Sequence, residues 1–540
     1  MTLPPSSDDH PDDPRRRRLL QAGALAGGLA VLPGTLAATV ARTTTARTRA
    51  GRIGGTVEDG VHVFRGIPYG ADTAPRRFQP ALPELAWRGV RDCTRYGAST
   101  AQPGRDGPGS EDCLFLNVWT PGLADGARRP ILVYIHGGGF NNGSGSDPLY
   151  DGGALCRHGD VVVVTLNHRL NAFGYLYLRD LGGKALQHSG NVGQLDLVQA
   201  LQWIAQHAHA FGGDAGNVTV FGQSGGGAKI ATLMAMPAAQ GLFHRAWTMS
   251  GQQVTAAGPR AATQRAEIYL GALGLTAADV ERLRTLPMQA LIEAQSVRDP
   301  SRVENSGLYF GPVVDTVTLP RHPFWPDAPP QSAAIPMVIG NTRDETRAFL
   351  GNDPDNFALT WETLPAKLRT QQFVDLDPAV VVAEYRRLYP DYTPSEVFFA
   401  ATTAGRSWRG AVEELEVRAS QGANTWAYQL DWHPDTEEGR RTRAFHTLDI
   451  PLVFDTIDAA GSNTGTDARA RAMAATMRDA LLAFARTGNP DHAGMPHWAP
   501  YSLAQRETMV FDTPSRLVDD PRGGERRLYR QAPFVQRGTQ

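Results

Sequence analysis

Gly222-Gln223-Ser224-Gly225-Gly226 is the stretch on which the reading of this chain turns. The pentapeptide fits G-x-S-x-G. It follows the apolar run Val218–Phe221 and precedes the small-residue, helix-compatible run Gly227–Met236. A strand, a sharp turn and a helix in that order expose the central side chain at the edge of a sheet. The turn is crowded because strand and helix close on it from both sides. Glycines at 222, 226 and 227 relieve that crowding and leave the Ser224 hydroxyl projecting. Ser224 is therefore a candidate nucleophile, although a glycine-rich turn without chemistry would fit the pentapeptide alone.

A second stretch, upstream, changes the balance. The strand-like run Ile131–Ile135 leads into His136-Gly137-Gly138-Gly139-Phe140. Acyl transfer needs backbone N–H donors aimed at the oxyanion that develops on the carbonyl. A glycine-rich loop after a strand brings the backbone close to that carbonyl without side-chain obstruction. Gly138 and Gly139 would supply two donors and Gly225, the residue after the nucleophile, a third.

The rest of the chain supplies a frame. Besides the two runs above, Val161–Leu166, Ala246–Met249, Met337–Ile339 and Thr425–Leu430 read as strands. Continuous runs such as Val161-Val162-Val163-Val164 suit strands buried on both faces. Between them lie helical patterns: Leu195, Val198, Leu201, Trp203 and Ile204 form one apolar stripe over Leu195–His207. Alternating strands and helices predict an α/β sheet with helices on both faces. Segments of about 255–300 and 355–420 are expected to be mostly helical insertions. The 540 residues are 41% hydrophobic and carry a net charge of −2, which gives no reason to expect nucleic acid or an anionic membrane as partner. No later run reaches the roughly 18 consecutive apolar residues of a membrane span, so no stable membrane anchor is expected.

The N-terminus reads as an address. Met1–Pro14 is polar, Arg15-Arg16-Arg17-Arg18-Leu19-Leu20 follows, and then comes an Ala/Gly-rich apolar run to about Leu32. This order matches a bacterial signal peptide, and the paired arginines resemble a twin-arginine export signal. Residues 1–41 are thus expected to be signal and leader, residues 42–540 a single catalytic domain, and the protein exported to the periplasm or medium.

Several longer runs carry a resemblance. Val63-Phe64-Arg65-Gly66-Ile67-Pro68-Tyr69, Ser110-Glu111-Asp112-Cys113-Leu114-Phe115-Leu116-Asn117-Val118, Asn167-His168-Arg169-Leu170 and Asn191-Val192-Gly193-Gln194-Leu195-Asp196 join the two glycine motifs. Together they resemble the type-B carboxylesterase and cholinesterase-like family over about residues 52–500. The resemblance implies an α/β-hydrolase fold: a mostly parallel central sheet, helices on both faces and helical insertions. It implies hydrolysis of small-molecule carboxylic esters without metal or organic cofactor. The family's acid lies in a D-E-G turn, here Asp344-Glu345-Thr346, which points to Glu345 with Asp344 as competitor. The family's histidine precedes an I-P-F-V-F run, here Ile450-Pro451-Leu452-Val453-Phe454, which points to His446; threonine 447 stands where glycine is usual. The order Ser, Glu, His is that of α/β-hydrolases.

The resemblance also implies finer features. Cys113 occupies the place of a bridged cysteine, with Cys93 as its displaced candidate partner, while Cys156 is expected to be a free thiol. Arg65 and Glu111 occupy the places of a buried ion pair. The family often has G-E-S-A-G; here Gln223 removes a negative charge near the histidine, and Gly225 is expected to free methyl-sized space. Phe324, Trp325, Phe349 and Trp408 could line a pocket, with core packing the default reading for each. Amide, carbamate or lactone hydrolysis with the same triad is the nearest alternative activity, and a non-catalytic binding module the more distant one. Neither the natural ester nor the oligomeric state is legible.

Overall fold

The computed structural model describes residues 42–103, 109–300 and 307–536. The segment read as export signal and leader lies outside the described residues.

Thirteen strands pair into one sheet. They are β1 (Arg42–Arg47), β2 (Arg52–Glu58), β3 (Val61–Pro68), β4 (Val90–Asp92), β5 (Phe115–Thr120), β6 (Arg129–Ile135) and β7 (Val162–Leu166). The rest are β8 (Gly213–Gln223), β9 (Arg245–Met249), β10 (Met337–Thr342), β11 (Thr425–Leu430), β12 (Glu507–Phe511) and β13 (Arg516–Asp519). Their spatial order is β1-β2-β3-β5-β7-β6-β8-β9-β10-β11-β12-β13, with β4 beside β2. From β7 to β12 every neighbouring pair is parallel. The flanks are antiparallel, as in β5 against β7 and β12 against β13, except that the short β4 runs parallel to β2.

Each strand expected from the sequence is present. The pleat explains the two-sided burial. Ile131, Val133 and Ile135 of β6 point to one face, where Leu197, Val198, Leu201 and Ile204 of helix Val192–His207 cover them. Leu132 and Tyr134 point to the other, among Met473, Met477, Leu481 and Phe484 of helix Ala468–Thr487. The two predicted helical regions hold helices such as Pro259–Ala272, Pro378–Leu388 and Arg409–Ser420. No helix among the described residues is long and apolar enough to cross a membrane.

The connections place the site. From β6 the chain steps outward to β7, then returns to the opposite side of β6 as β8. That reversal is a topological switch point, and in parallel sheets the crevice at the carboxyl ends of such strands receives ligands. The glycine loop leaves β6 there and Ser224 leaves β8.

Two expectations are corrected. Cys93 and Cys113 are not bridged: all three cysteines are buried free thiols. Cys93 is held by backbone pairing to Gly54 and Arg65, with its Sγ toward the Gly66 carbonyl at 3.9 Å, whereas Cys113 Sγ lies 3.5 Å from Thr100 Oγ1. Burial pushes both thiols up to about 12. Arg65 and Glu111 do not pair with each other either. Arg65 donates to Glu58 at 2.6 and 2.8 Å, and Glu111 accepts from Arg77 Nε at 2.7 Å.

Candidate active site

Ser224 sits between the end of β8 and helix Gly225–Leu233 with φ 55° and ψ −127°, a strained conformation for a residue with a Cβ. Its N–H donates to the Met249 carbonyl at 2.7 Å and its carbonyl accepts from Ala228 N–H at 3.1 Å. The flanking glycines are required by close approach. A Cβ at Gly226 would lie 1.9 Å from the Ile135 carbonyl oxygen, and one at Gly222 2.7 Å from the same atom.

The glycine loop bends through Gly138 (φ 83°) and Gly139 (φ 60°). The Gly138 carbonyl accepts from the N–H groups of Asn141 and Asn142, at 3.2 and 3.1 Å, which closes the turn. The Gly139 carbonyl rests against Gly225, where a Cβ would lie 2.0 Å from it. The space expected beside Gly225 is therefore filled by the loop itself. Glycine at 225 lets the two backbones meet and adds no room for substrate.

Glu345 follows β10 and is fully buried. Its Oε2 is hydrogen-bonded to His446 Nδ1, and its Oε1 accepts from Asn341 Nδ2 at 3.1 Å and Thr342 N–H at 3.0 Å. Burial acts to raise the carboxyl pKa, but His446 together with hydrogen bonds from Ser250 and Asn341 outweighs it and holds the group below its ordinary value. Asp344, the competitor, is engaged elsewhere, accepting from Arg347 Nε at 3.3 Å. Thr346 and Thr447 show how the two missing glycines are replaced. The Thr346 hydroxyl donates to the Phe399 carbonyl at 3.0 Å, and Thr447 adopts φ 82°.

On its other ring nitrogen, His446 Nε2 lies 3.1 Å from Gln223 Nε2. With the Nδ1 proton turned to Glu345, the Gln223 amide donates to the Nε2 lone pair. The Phe349 ring covers the imidazole at a centroid distance of 4.7 Å. The place of Gln223 beside the histidine agrees with the sequence reading, whereas the stacking of Phe349 on the imidazole was not anticipated. Phe349 sits four residues after Glu345, where packing was the better reading from sequence.

Gly139, Ser224, Gly225, Glu345 and His446 line one cavity of about 340 Å³. Gly138 lies one residue behind its wall. Phe140, Tyr309, Phe349, Phe373 and Phe534 make much of the lining aromatic. Arg406 adds a cation to the wall, its Nε donating to the Gln371 carbonyl at 2.9 Å and its guanidinium lying over Phe373. Arg406 and Ser407 belong to a π-helical turn, Ala404–Trp408, for which the sequence carries no signal. Phe324, Trp325 and Trp408 lie away from this cavity. Among the described residues, no cluster of three or more His, Cys, Asp or Glu side chains is placed to hold a metal ion.

This geometry can deliver a serine alkoxide, a base and backbone donors to one ester carbonyl. The chain matches the Carboxylesterase family over residues 42–527. It is 36% identical to the para-nitrobenzyl esterase of Bacillus subtilis (strain 168) over 491 residues, covering 89% of this chain and 97% of that protein. It is 33% identical to the phenmedipham hydrolase of Pseudarthrobacter oxydans, covering 89% and 96%. Among solved structures, the Geobacillus stearothermophilus carboxylesterase EST55 superposes with a TM-score of 0.80 at 37% identity, covering 90% of this chain and all of that one. The chain belongs to the carboxylesterase family, with its α/β-hydrolase fold, and is a carboxylic ester hydrolase.

Proposed function

We propose that Ser224 is the nucleophile, His446 the general base and Glu345 its orienting acid. The observation that carries this reading is the shared cavity wall of Ser224 and His446, with Glu345 bound to the far ring nitrogen. A serine hydroxyl needs a base at neutral pH. His446 Nε2 takes the Oγ proton as the Oγ–carbon bond forms, and the carbonyl electrons move to the oxygen. The N–H groups of Gly138, Gly139 and Gly225 receive that oxyanion. Collapse breaks the carbon–alkoxide bond, His446 returns the proton to the leaving alcohol, and an acyl-Ser224 remains. Water, deprotonated by His446, then releases the acid, while Glu345 stabilises the imidazolium in both halves. A fluorophosphonate probe should label wild-type protein at Ser224 and leave Ser224→Ala unlabelled. Labelling of the variant would remove the assignment.

The preferred substrates are small esters of bulky or aromatic alcohols. The size and aromatic lining of the cavity support this, as does the alcohol in the name of the para-nitrobenzyl esterase. No side chain projects from Gly137–Gly139 toward the carbonyl. Discrimination in an apolar pocket is worth only about 1–3 kcal/mol per methylene, so the preference is graded. Hydrolysis of p-nitrobenzyl acetate and p-nitrophenyl butyrate should exceed that of an olive-oil emulsion, and tert-butyl acetate should be a slow substrate. Preference for the emulsion would refute the small-ester reading.

Export through the twin-arginine route completes the proposal and rests on the Arg15–Arg18 run and the apolar stretch after it. Replacing Arg16 and Arg17 by lysine should hold the precursor in the cytoplasm. Unchanged export would exclude that route.

A further inference from the structure

Lys229 lies in the helix that carries Ser224 at its N-terminus, five residues beyond the nucleophile, and none of its surface reaches solvent. Its Nζ donates to the His136 carbonyl at 3.1 Å and lies 5.8 Å from the Phe140 ring. His136 opens the oxyanion loop and Phe140 closes it. The parallel pairing of β6 with β8 ends at Ile135 and Gly222. Past that point, among the described residues, the bond from Lys229 is the hydrogen bond that joins the nucleophile helix to the loop His136–Phe140.

The surrounding contacts say what that bond holds. The loop and the nucleophile turn meet backbone to backbone. A Cβ at Gly226 would lie 3.1 Å from the His136 carbonyl oxygen, one at Gly137 3.0 Å from the Gln223 carbonyl oxygen, and one at Gly225 2.0 Å from the Gly139 carbonyl oxygen. The side chains of Ser224 and Gln223 also lie against the loop, 3.2 and 3.3 Å from where a Cβ at Gly137 would stand, and Phe140 packs in one cluster with Ala228. The bond from Lys229 adds a directed pull across this close-packed seam. The titratable groups around Lys229 do not neutralise it. His136 and His168 stack at 4.8 Å, and burial drives His136 down to about 3 and His168 well below its ordinary value. Burial pushes Lys229 itself down to about 7. Simple space-filling would be met by an apolar side chain without the cost of burying an amine.

We propose that Lys229 is a positioning residue of the oxyanion hole: its bond to the His136 carbonyl sets the loop donors of Gly138 and Gly139 against the donor of Gly225. The proposal rests on the nucleophile and hole assigned above. The protein would thus spend a buried amine on the alignment of groups that are themselves backbone.

The test compares wild type with Lys229→Met, one atom shorter and without the donor, and Lys229→Gln, of the same reach as methionine but with an N–H donor at its end. Turnover of p-nitrophenyl butyrate, inhibition by an aryl trifluoromethyl ketone and Tm are measured. The ketone adds to the serine and places an oxyanion in the hole. For Lys229→Met, kcat should fall on the order of 10–100-fold, less than the loss from deleting a hole donor outright. KM should stay within about twofold, inhibitor affinity should weaken by the same factor as kcat, and Tm at pH 6 should not fall. Lys229→Gln should lie between the two. Wild-type kcat and inhibitor affinity in either folded variant would overturn the proposal, as would a loss confined to Tm and KM. The underlying triad is tested separately by Ser224→Ala, so a failure of the one is not a failure of the other.

Discussion

The two walls of the catalytic cavity are built by opposite means. On the side of β6 and β8 the groups proposed to act are backbone N–H donors and one serine on a strained turn. Imagined Cβ atoms at Gly226 and Gly225 collide with backbone oxygens at 1.9 and 2.0 Å. On the side of β10 and β11 the groups proposed to act are side chains. Glu345 is held by Asn341 and Thr342 and in turn holds His446. Here two positions where the family has glycine carry threonine, one tied by its hydroxyl and one simply adopting positive φ. Where the backbone is the reagent, glycine lets two backbones meet here, and a side chain would force one of them to move. Where a side chain is the reagent, the backbone beneath it can vary so long as the hydrogen bonds survive.

The largest effect sets the scale. Ser224→Ala and His446→Ala should each lower kcat on the order of 10⁶-fold while Tm stays close to wild type, since nucleophile and base act as a unit. Measurable residual turnover in the purified Ser224→Ala protein would break the comparison at its root, because the serine would not be the reagent. Next comes Gly225→Ala. Alanine is common at this position in relatives, yet here the new methyl would meet the Gly139 carbonyl at 2.0 Å. The loop must retreat, and kcat should fall on the order of 10²-fold with little change in KM. A fully active Gly225→Ala would mean that the loop moves freely and that this wall is less constrained than its geometry says.

The side-chain wall should respond the other way. Thr346→Gly and Thr447→Gly restore the usual residues, and each should leave kcat within about threefold of wild type. Asn341→Ala should cost about tenfold. It removes the 3.1 Å donor to Glu345 Oε1, a bond to a charged group worth about 1.5–3 kcal/mol. Steady-state kinetics on one ester suffice. A ranking in which a threonine substitution costs more than Asn341→Ala would show that backbone conformation governs this wall too.

The sequence revealed these walls unequally, and the reason is the same. Backbones that meet this closely favour glycine, and Gly222, Gly225, Gly226 and the Gly137–Gly139 run spell out the turn and the loop in two short segments. The strands were legible because a parallel sheet buried on both faces writes continuous apolar runs, as in β7. Glu345 and His446 are 101 residues apart, and no local pattern joins them. They were reached through resemblance to the family and not through spacing. Lys229 was illegible for a further reason: it acts only through a tertiary neighbour, the His136 carbonyl. The disulfide failed where resemblance was carried beyond the matching residues, whereas the Arg65–Glu111 pair failed inside matching runs because each residue takes another partner. Cys93 is displaced from the usual place, and Arg77, outside every motif, is the partner that Glu111 takes.

Gln223 straddles the two walls, and the smallest expected effect falls there. Its main chain belongs to β8, but its side-chain amide lies 3.1 Å from His446 Nε2, on the nitrogen that must receive the serine proton. A neutral amide can donate to that nitrogen while the ring is unprotonated and can turn its oxygen toward it once the ring carries a proton. It therefore favours neither state strongly. Glutamate, common at this position in relatives, differs in sign: a buried carboxylate beside Nε2 favours the protonated ring. The base works only when unprotonated, so more alkaline conditions are needed to free it. The acidic limb of kcat/KM against pH should move upward in Gln223→Glu, by about one pH unit for a pair that interacts by about 1.4 kcal/mol. The alkaline plateau should remain within a few-fold of wild type. Superimposable limbs would show that the 3.1 Å contact carries no coupling to the base, and the glutamine would then belong wholly to the backbone wall. A shift to lower pH would require the carboxylate to be protonated in the working range, with its proton donated to Nε2, and would overturn the charge argument itself.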